Sequence, residues 1–209
     1  MKSANRYGKD QEILFKKIAD HYYNLNLKYV LEIDYNKKIE IENIIKELEV
    51  FAQEYPDSNL NYKVYFAFGE LYFAKAICIY NKNKIKDEDF ENNIKKALYY
   101  YEITRKMKGV TKFFVQNIDY RITECYFALD DTKKTFEVIN KYPNNYLSLD
   151  SLYLLMLNYY MKTSKNISIN QEYWEFIKNI IGKINTINMN GYKLKKLDFI
   201  SGLVDFEME

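Results

Sequence analysis

Four short segments of this chain repeat one arrangement: Asp20-His21-Tyr22-Tyr23, Glu70-Leu71-Tyr72-Phe73, Glu124-Cys125-Tyr126-Phe127 and Leu157-Asn158-Tyr159-Tyr160. In three of them a carboxylate stands two places before a pair of rings. On a helix, residues three and four apart share a face, so each acid lies beside the second ring of its pair. Such a set could serve acid–base catalysis, or it could hold a cationic partner beside apolar anchors. Catalysis needs companions that the sequence does not supply. His21 is the single histidine, and no Ser or Cys sits in a recognisable nucleophile frame. There is no phosphate-cradling Gly-rich loop and no H-E-x-x-H helix. The acid pairs Glu40/Glu42 and Asp87/Asp89 fall at helix starts, where acids act as caps. The chain therefore reads as a non-enzyme that uses no cofactor and no metal, and the acid–aromatic sets read as binding surface.

Composition narrows the partner. Of the 209 residues, 31 are Lys or Arg and 29 are Asp or Glu, a net charge of +2. Lysines alternate with acids along the helices, so no basic stripe marks a nucleic-acid binder. Hydrophobic residues make up 48%, enough for a packed chain. The low count of 6 Gly and 2 Pro disfavours a turn-rich β architecture. Cys78 and Cys125 lie in apolar helical runs and read as buried free thiols. No apolar run is long enough to span a bilayer, and the start of the sequence lacks the apolar core of a signal peptide.

The elements that must position these residues are helices. Apolar spacing of three and four persists nearly throughout, and no period-two alternation is sustained. Ile13, Leu14, Ile18, Tyr22 and Leu25 form a first stripe; Ile41, Ile44, Ile45, Leu48, Phe51 and Ala52 form a second. Tyr55-Pro56 stops that helix, and Asp57 or Ser58 offers a cap for the next. Further helices are predicted over about 60–80, 90–108 and 111–129, with Gly109 as a stop. A short one ends at Tyr142-Pro143. Two more carry Leu149 to Thr163 and the stretch around Trp174, and a last covers about 192–206. The expected fold is all-α and a single domain.

Aligning the four segments brings out a fuller pattern. Before the rings lie Phe15, Tyr65, Asp119 and Leu152, then Ile18, Phe68, Ile122 and Leu155, then Ala19, Gly69, Thr123 and Met156. In the following helices Ala97 with Tyr101 supplies a small and then a large residue, and Pro56 and Pro143 close their segments. This resembles the tetratricopeptide repeat, in which a small residue lets the two helices of a hairpin approach. Tyr126 to Tyr159 is 33 residues, close to that family's period of roughly 34; Tyr22 to Tyr72 and Tyr72 to Tyr126 are longer, at 50 and 54. Phe51-Ala52-Gln53-Glu54-Tyr55-Pro56-Asp57-Ser58, followed by Phe68-Gly69-Glu70-Leu71-Tyr72-Phe73, is similar to bacterial envelope repeat proteins of the BamD and YbgF type.

The resemblance implies a right-handed α-solenoid of about four hairpins (about 10–55, 58–108, 111–143 and 147–188) with a capping helix at about 192–206. It implies a concave groove lined by the first helix of each hairpin. Lys16, Asp20 and Tyr23 would share that face in the first, Phe66, Glu70 and Phe73 in the second, Tyr120, Glu124 and Phe127 in the third, and Tyr153 and Tyr160 in the fourth. The second ring of each pair is open to either role, groove contact or packing against the next hairpin. The implied function is a scaffold that binds a partner protein or peptide, with Lys or Arg of the partner beside the acids. Its implied setting is periplasmic or cell-envelope assembly, if a leader or anchor precedes this sequence. A cytoplasmic regulatory adaptor and a self-associating module are the alternatives.

Overall fold

The computed structural model of the chain describes residues 2–25 and 33–141, together with Glu175, Lys178, Asn179, Ile181 and Gly182. The described residues are all-helical, with no strand among them. The chain divides into two compact units, Met1–Cys125 and Tyr126–Glu209. Apart from those five positions, the expected fourth hairpin and the capping helix, with Tyr153, Tyr160 and Trp174, lie outside the described residues.

The first unit begins with α1 (Lys2–Asn24), about two turns longer at its start than the beginning expected near residue 10. Ile18 and Leu25 are buried, but Ile13 is 60% exposed, so the stripe runs through Phe15 instead. Phe15 meets Phe51 of α2 (Lys38–Glu54) edge-on at 5.7 Å, and His21 Nδ1 lies 2.9 Å from Glu47 Oε2. As α1 advances its partners on α2 recede, so the two helices are antiparallel. A 3₁₀ turn at Tyr35–Lys37, capped by Asp34, leads into α2. Ile41, Ile44, Ile45, Leu48 and Phe51 of α2 are all buried, the spacing of one apolar face.

The turn after α2 holds itself together. Asn61 Nδ2 donates to the carbonyls of Tyr55 (3.0 Å) and Pro56 (2.7 Å), and Ser58 Oγ accepts from the Leu60 amide. Helix α3 (Asn61–Asn83) then returns along α2, with Lys75 paired to Glu42 at 2.8 Å. It is the most buried element: from Phe68 to Ile79, Lys75 alone is not buried. A helix apolar on every side must be covered on every side. Helix α2 and the 33–37 segment cover part of it, the latter through Asn81 Nδ2 donating to the Ile33 carbonyl.

Helix α4 (Glu88–Lys106) covers a further face. Lys84 takes the left-handed conformation (φ 56°) to end α3, and Asp87 caps α4 by accepting from the Phe90 amide at 2.8 Å. Three acids in the first turn and Arg105 and Lys106 in the last suit the helix dipole. Tyr80 packs on Phe90 near the connection and Gly69 on Tyr101 further away, so α3 and α4 are antiparallel. At Gly69 an added Cβ would lie 2.5 Å from the Tyr101 ring. The small residue expected at this position is thus required by close approach. Gly109, at φ +91°, turns the chain into α5 (Lys112–Ala128). Phe114 packs on Tyr62 and Phe66, and Arg121 reaches Glu70, so α5 runs in the same direction as α3.

In the second unit, Asp130 (φ 59°) makes the turn and Asp131 caps α6 (Thr132–Ile139) by accepting from the Lys134 amide. The helix is eight residues long, short as its spacing predicts.

Candidate functional site

Two features of the first unit concern the expected binding surface. The first is a cleft of about 480 Å³ between α1 and α3, closed at one end by the start of α5. Phe15, Ile18, Ala19, Tyr22 and Tyr23 of α1 line it, with Tyr62, Lys63, Phe66 and Ala67 of α3 opposite. Leu48 of α2, Gly109, Thr111 and Phe114 complete the wall. The Phe66 ring is fixed from behind by Phe114 at 4.9 Å and Tyr101 at 5.6 Å. Tyr23 stands at the mouth, 75% exposed. Preformed, mostly apolar concavities of this size are where ligands and side-chain anchors bind.

The second is a charged cluster joining α3, α4 and α5. Glu70 Oε2 accepts from Arg121 Nη2 at 2.7 Å, and Arg121 Nη1 donates to Glu124 Oε2 at 2.7 Å. Glu70 Oε1 accepts from Tyr101 Oη at 2.5 Å. Tyr120 donates to Glu124, and the Arg121 guanidinium lies 5.9 Å from the Tyr120 ring centre. Glu70 is 6% exposed and the Glu124 side chain 16%. Burial pushes the Glu124 carboxyl up; Arg121 pulls it back and Glu70 reinforces the rise. Burial works against the Arg121 charge, but Glu70 and Glu124 more than offset it. Burial and the Glu70 charge raise the Tyr101 hydroxyl well above its ordinary range, and burial with Glu124 does the same for the Cys125 thiol. Tyr22, on the cleft wall, is raised by burial and by Glu70 and drawn back by Arg121, so cleft and cluster adjoin. The cluster is a self-satisfied ion network: its acids face a guanidinium, and its hydroxyl and thiol keep their protons.

Of the eleven residues expected to line a groove, the nine that are described separate. Lys16, Asp20 and Tyr23 are exposed on α1, and Phe66 lies half-buried in the cleft. Glu70 and Phe73 are interior groups, 6% and 7% exposed, so neither presents surface to a partner. Glu70 is turned inward because Arg121 and Tyr101 satisfy both its oxygens. Tyr120 and Glu124 belong to the same network. Phe127 is half-buried and belongs to the second unit.

Tyr72 stacks on Tyr100 at 5.5 Å with rings 4° from parallel, under Lys96, whereas Tyr22 faces the cleft. Phe15 meets Phe51 at 5.7 Å, as Tyr65 meets Tyr100 at 5.9 Å and Phe66 meets Tyr101 at 5.6 Å. Arg121 was passed over because counting acids and rings gives no weight to the cation between them. Its place three residues before Glu124, on the same helix face, was the available signal.

Among the described residues no three His, Cys, Asp or Glu side chains converge as a metal site, and no helix is long and apolar enough to cross a membrane. Comparison with protein-family models, curated proteins and solved structures finds no match.

Proposed function

We propose that the chain is a non-enzymatic interaction scaffold whose cleft between α1 and α3 receives a segment of another protein, in the manner of a tetratricopeptide array. The observation that carries this reading is the cleft itself: rings from the first helices of two successive antiparallel pairs meet across about 480 Å³ of open apolar space. The parallel course of α3 and α5 and the alternation of antiparallel neighbours support the solenoid reading. Aromatic anchors suit such recognition because they offer large area for little lost rotamer entropy.

The test is peptide display on the immobilised chain, repeated with Ala67→Trp, which fills the cleft from a lining position. Peptides captured by the wild type should be lost with the variant while its helical circular dichroism is unchanged. Capture that survives Ala67→Trp would remove the cleft from the reading.

Self-association has its own support in Ile13, Ile39, Tyr99 and Phe113, which are 60–73% exposed. Sedimentation over a concentration series tests it, and a monomer throughout would reject it. A place in bacterial envelope assembly rests on the likeness around Tyr55-Pro56-Asp57-Ser58 alone, with a cytoplasmic adaptor as the alternative. Fractionation of cells carrying the native gene product separates the two.

A further inference from the structure

We infer that the cleft selects an acidic segment: one that seats an aromatic or branched apolar side chain between α1 and α3 and sets a carboxylate beside Lys63. The inference rests on the scaffold reading and adds the chemistry of the partner. It reverses the charge preference that the sequence pattern suggests.

The reversal follows from where the charges lie. The acids that would have drawn a cationic partner, Glu70 and Glu124, are both bound to Arg121, and Glu70 is interior. They cannot pair with an incoming Lys or Arg without breaking that network. Among the described residues lining the cleft, Lys63 is the one with a charged side chain. It is exposed, with its ammonium 5.9 Å from the centre of the Tyr62 ring, so it stands at the apolar edge with its charge toward water. Lys112, exposed, directly follows the lining residue Thr111. On α1 the exposed Lys16 and Asp20 are one turn apart and cancel. What remains at the rim is positive, and charge at a rim governs partner choice and encounter more than total affinity.

The experiment uses three short fluorescent peptides sharing one amphipathic helical face of Phe and Leu and flanked by Glu, Gln or Lys. Binding to the full chain is read by fluorescence anisotropy at low ionic strength. The Glu-flanked peptide should bind about tenfold more tightly than the Lys-flanked one, the sum of a gained attraction and a lost repulsion. Raising the salt should shrink that ratio. Lys63→Glu should invert the order and Lys63→Gln should flatten it, with helicity unchanged in both because the position is exposed. Equal binding of all three peptides, still abolished by Ala67→Trp, would overturn the acidic preference and leave the cleft reading standing. No binding of any peptide would overturn both. Binding of anionic phosphatidylserine vesicles without binding of the Glu-flanked peptide would reassign the rim to a membrane surface.

Discussion

Removing Arg121 should be far more damaging than removing one of its carboxylate partners. In Arg121→Leu, Glu70 and Glu124 lose the guanidinium that lies 2.7 Å from each. Two neighbouring carboxylates are left at a site that is 6% exposed on one side and 16% on the other. Breaking a buried pair costs about 3–5 kcal/mol, and the low end applies because 28% of the Arg121 side chain meets water. About 3 kcal/mol is a large share of the ~5–15 kcal/mol that holds a domain folded. Glu124→Gln differs in kind. The cluster of two acids and one guanidinium then becomes neutral, and the amide oxygen still accepts from Arg121. Its stability should stay within about 1 kcal/mol of wild type near neutral pH. The sign of the pH dependence follows from the raised Glu124 pKa. The folded state holds that proton more tightly, so the contribution is fully present below the unfolded value. It is lost as pH rises through the folded value. Wild type should therefore lose stability relative to Glu124→Gln as pH climbs above the ordinary 4.5. Urea unfolding followed by far-ultraviolet circular dichroism across that range measures all three chains. An Arg121→Leu chain that loses less than about 1 kcal/mol, with Glu124→Gln equally damaging, would refute the assignment of Arg121 as the shared counter-ion.

Three further outcomes are expected. Gly69→Ala should destabilise by about 1–3 kcal/mol, because its Cβ would lie 2.5 Å from a ring whose hydroxyl is tied to Glu70; a urea midpoint unchanged from wild type would show that Tyr101 yields freely. Cys78, raised by burial to about 11, and Cys125, which burial also holds well above its ordinary range, should react slowly with an aromatic disulfide reagent near pH 8 and rapidly in denaturant; fast labelling of the folded chain would contradict their burial. Asp87→Ala should lower the melting temperature by uncapping α4, and the deficit should fade in acid. The Phe90 amide bond holds the Asp87 carboxyl below its usual range, so the stabilisation exists above the ordinary 3.8 and disappears as pH falls through the folded value.

Much of the fold was legible because it rests on local chemistry. Pro56, Gly109 and the capping acids Asp87 and Asp131 mark ends that the chain obeys, and apolar spacing places α2 to α6 within a few residues. Gly69 was recognisable as a close-approach position because only a small residue fits where two helices touch, but that it meets Tyr101 was not. The site was less legible because its meaning is tertiary. Whether Glu70 faces water or Arg121 depends on a helix that begins some forty residues later. Tyr22 and Tyr72 look alike as text, yet one turns to the next helix pair and the other onto Tyr100. Adjacent aromatics on a helix differ in direction by about 100°, so which ring of a pair enters a hairpin core is decided by the helices packed around it.

The most direct measurement of the proposed binding mode is amide hydrogen exchange of the full chain with and without a captured peptide. Slowed exchange confined to residues 15–23, 62–67 and 111–114 is the expected result. Protection elsewhere, with these three stretches unchanged, would contradict the claim that the cleft is the binding site.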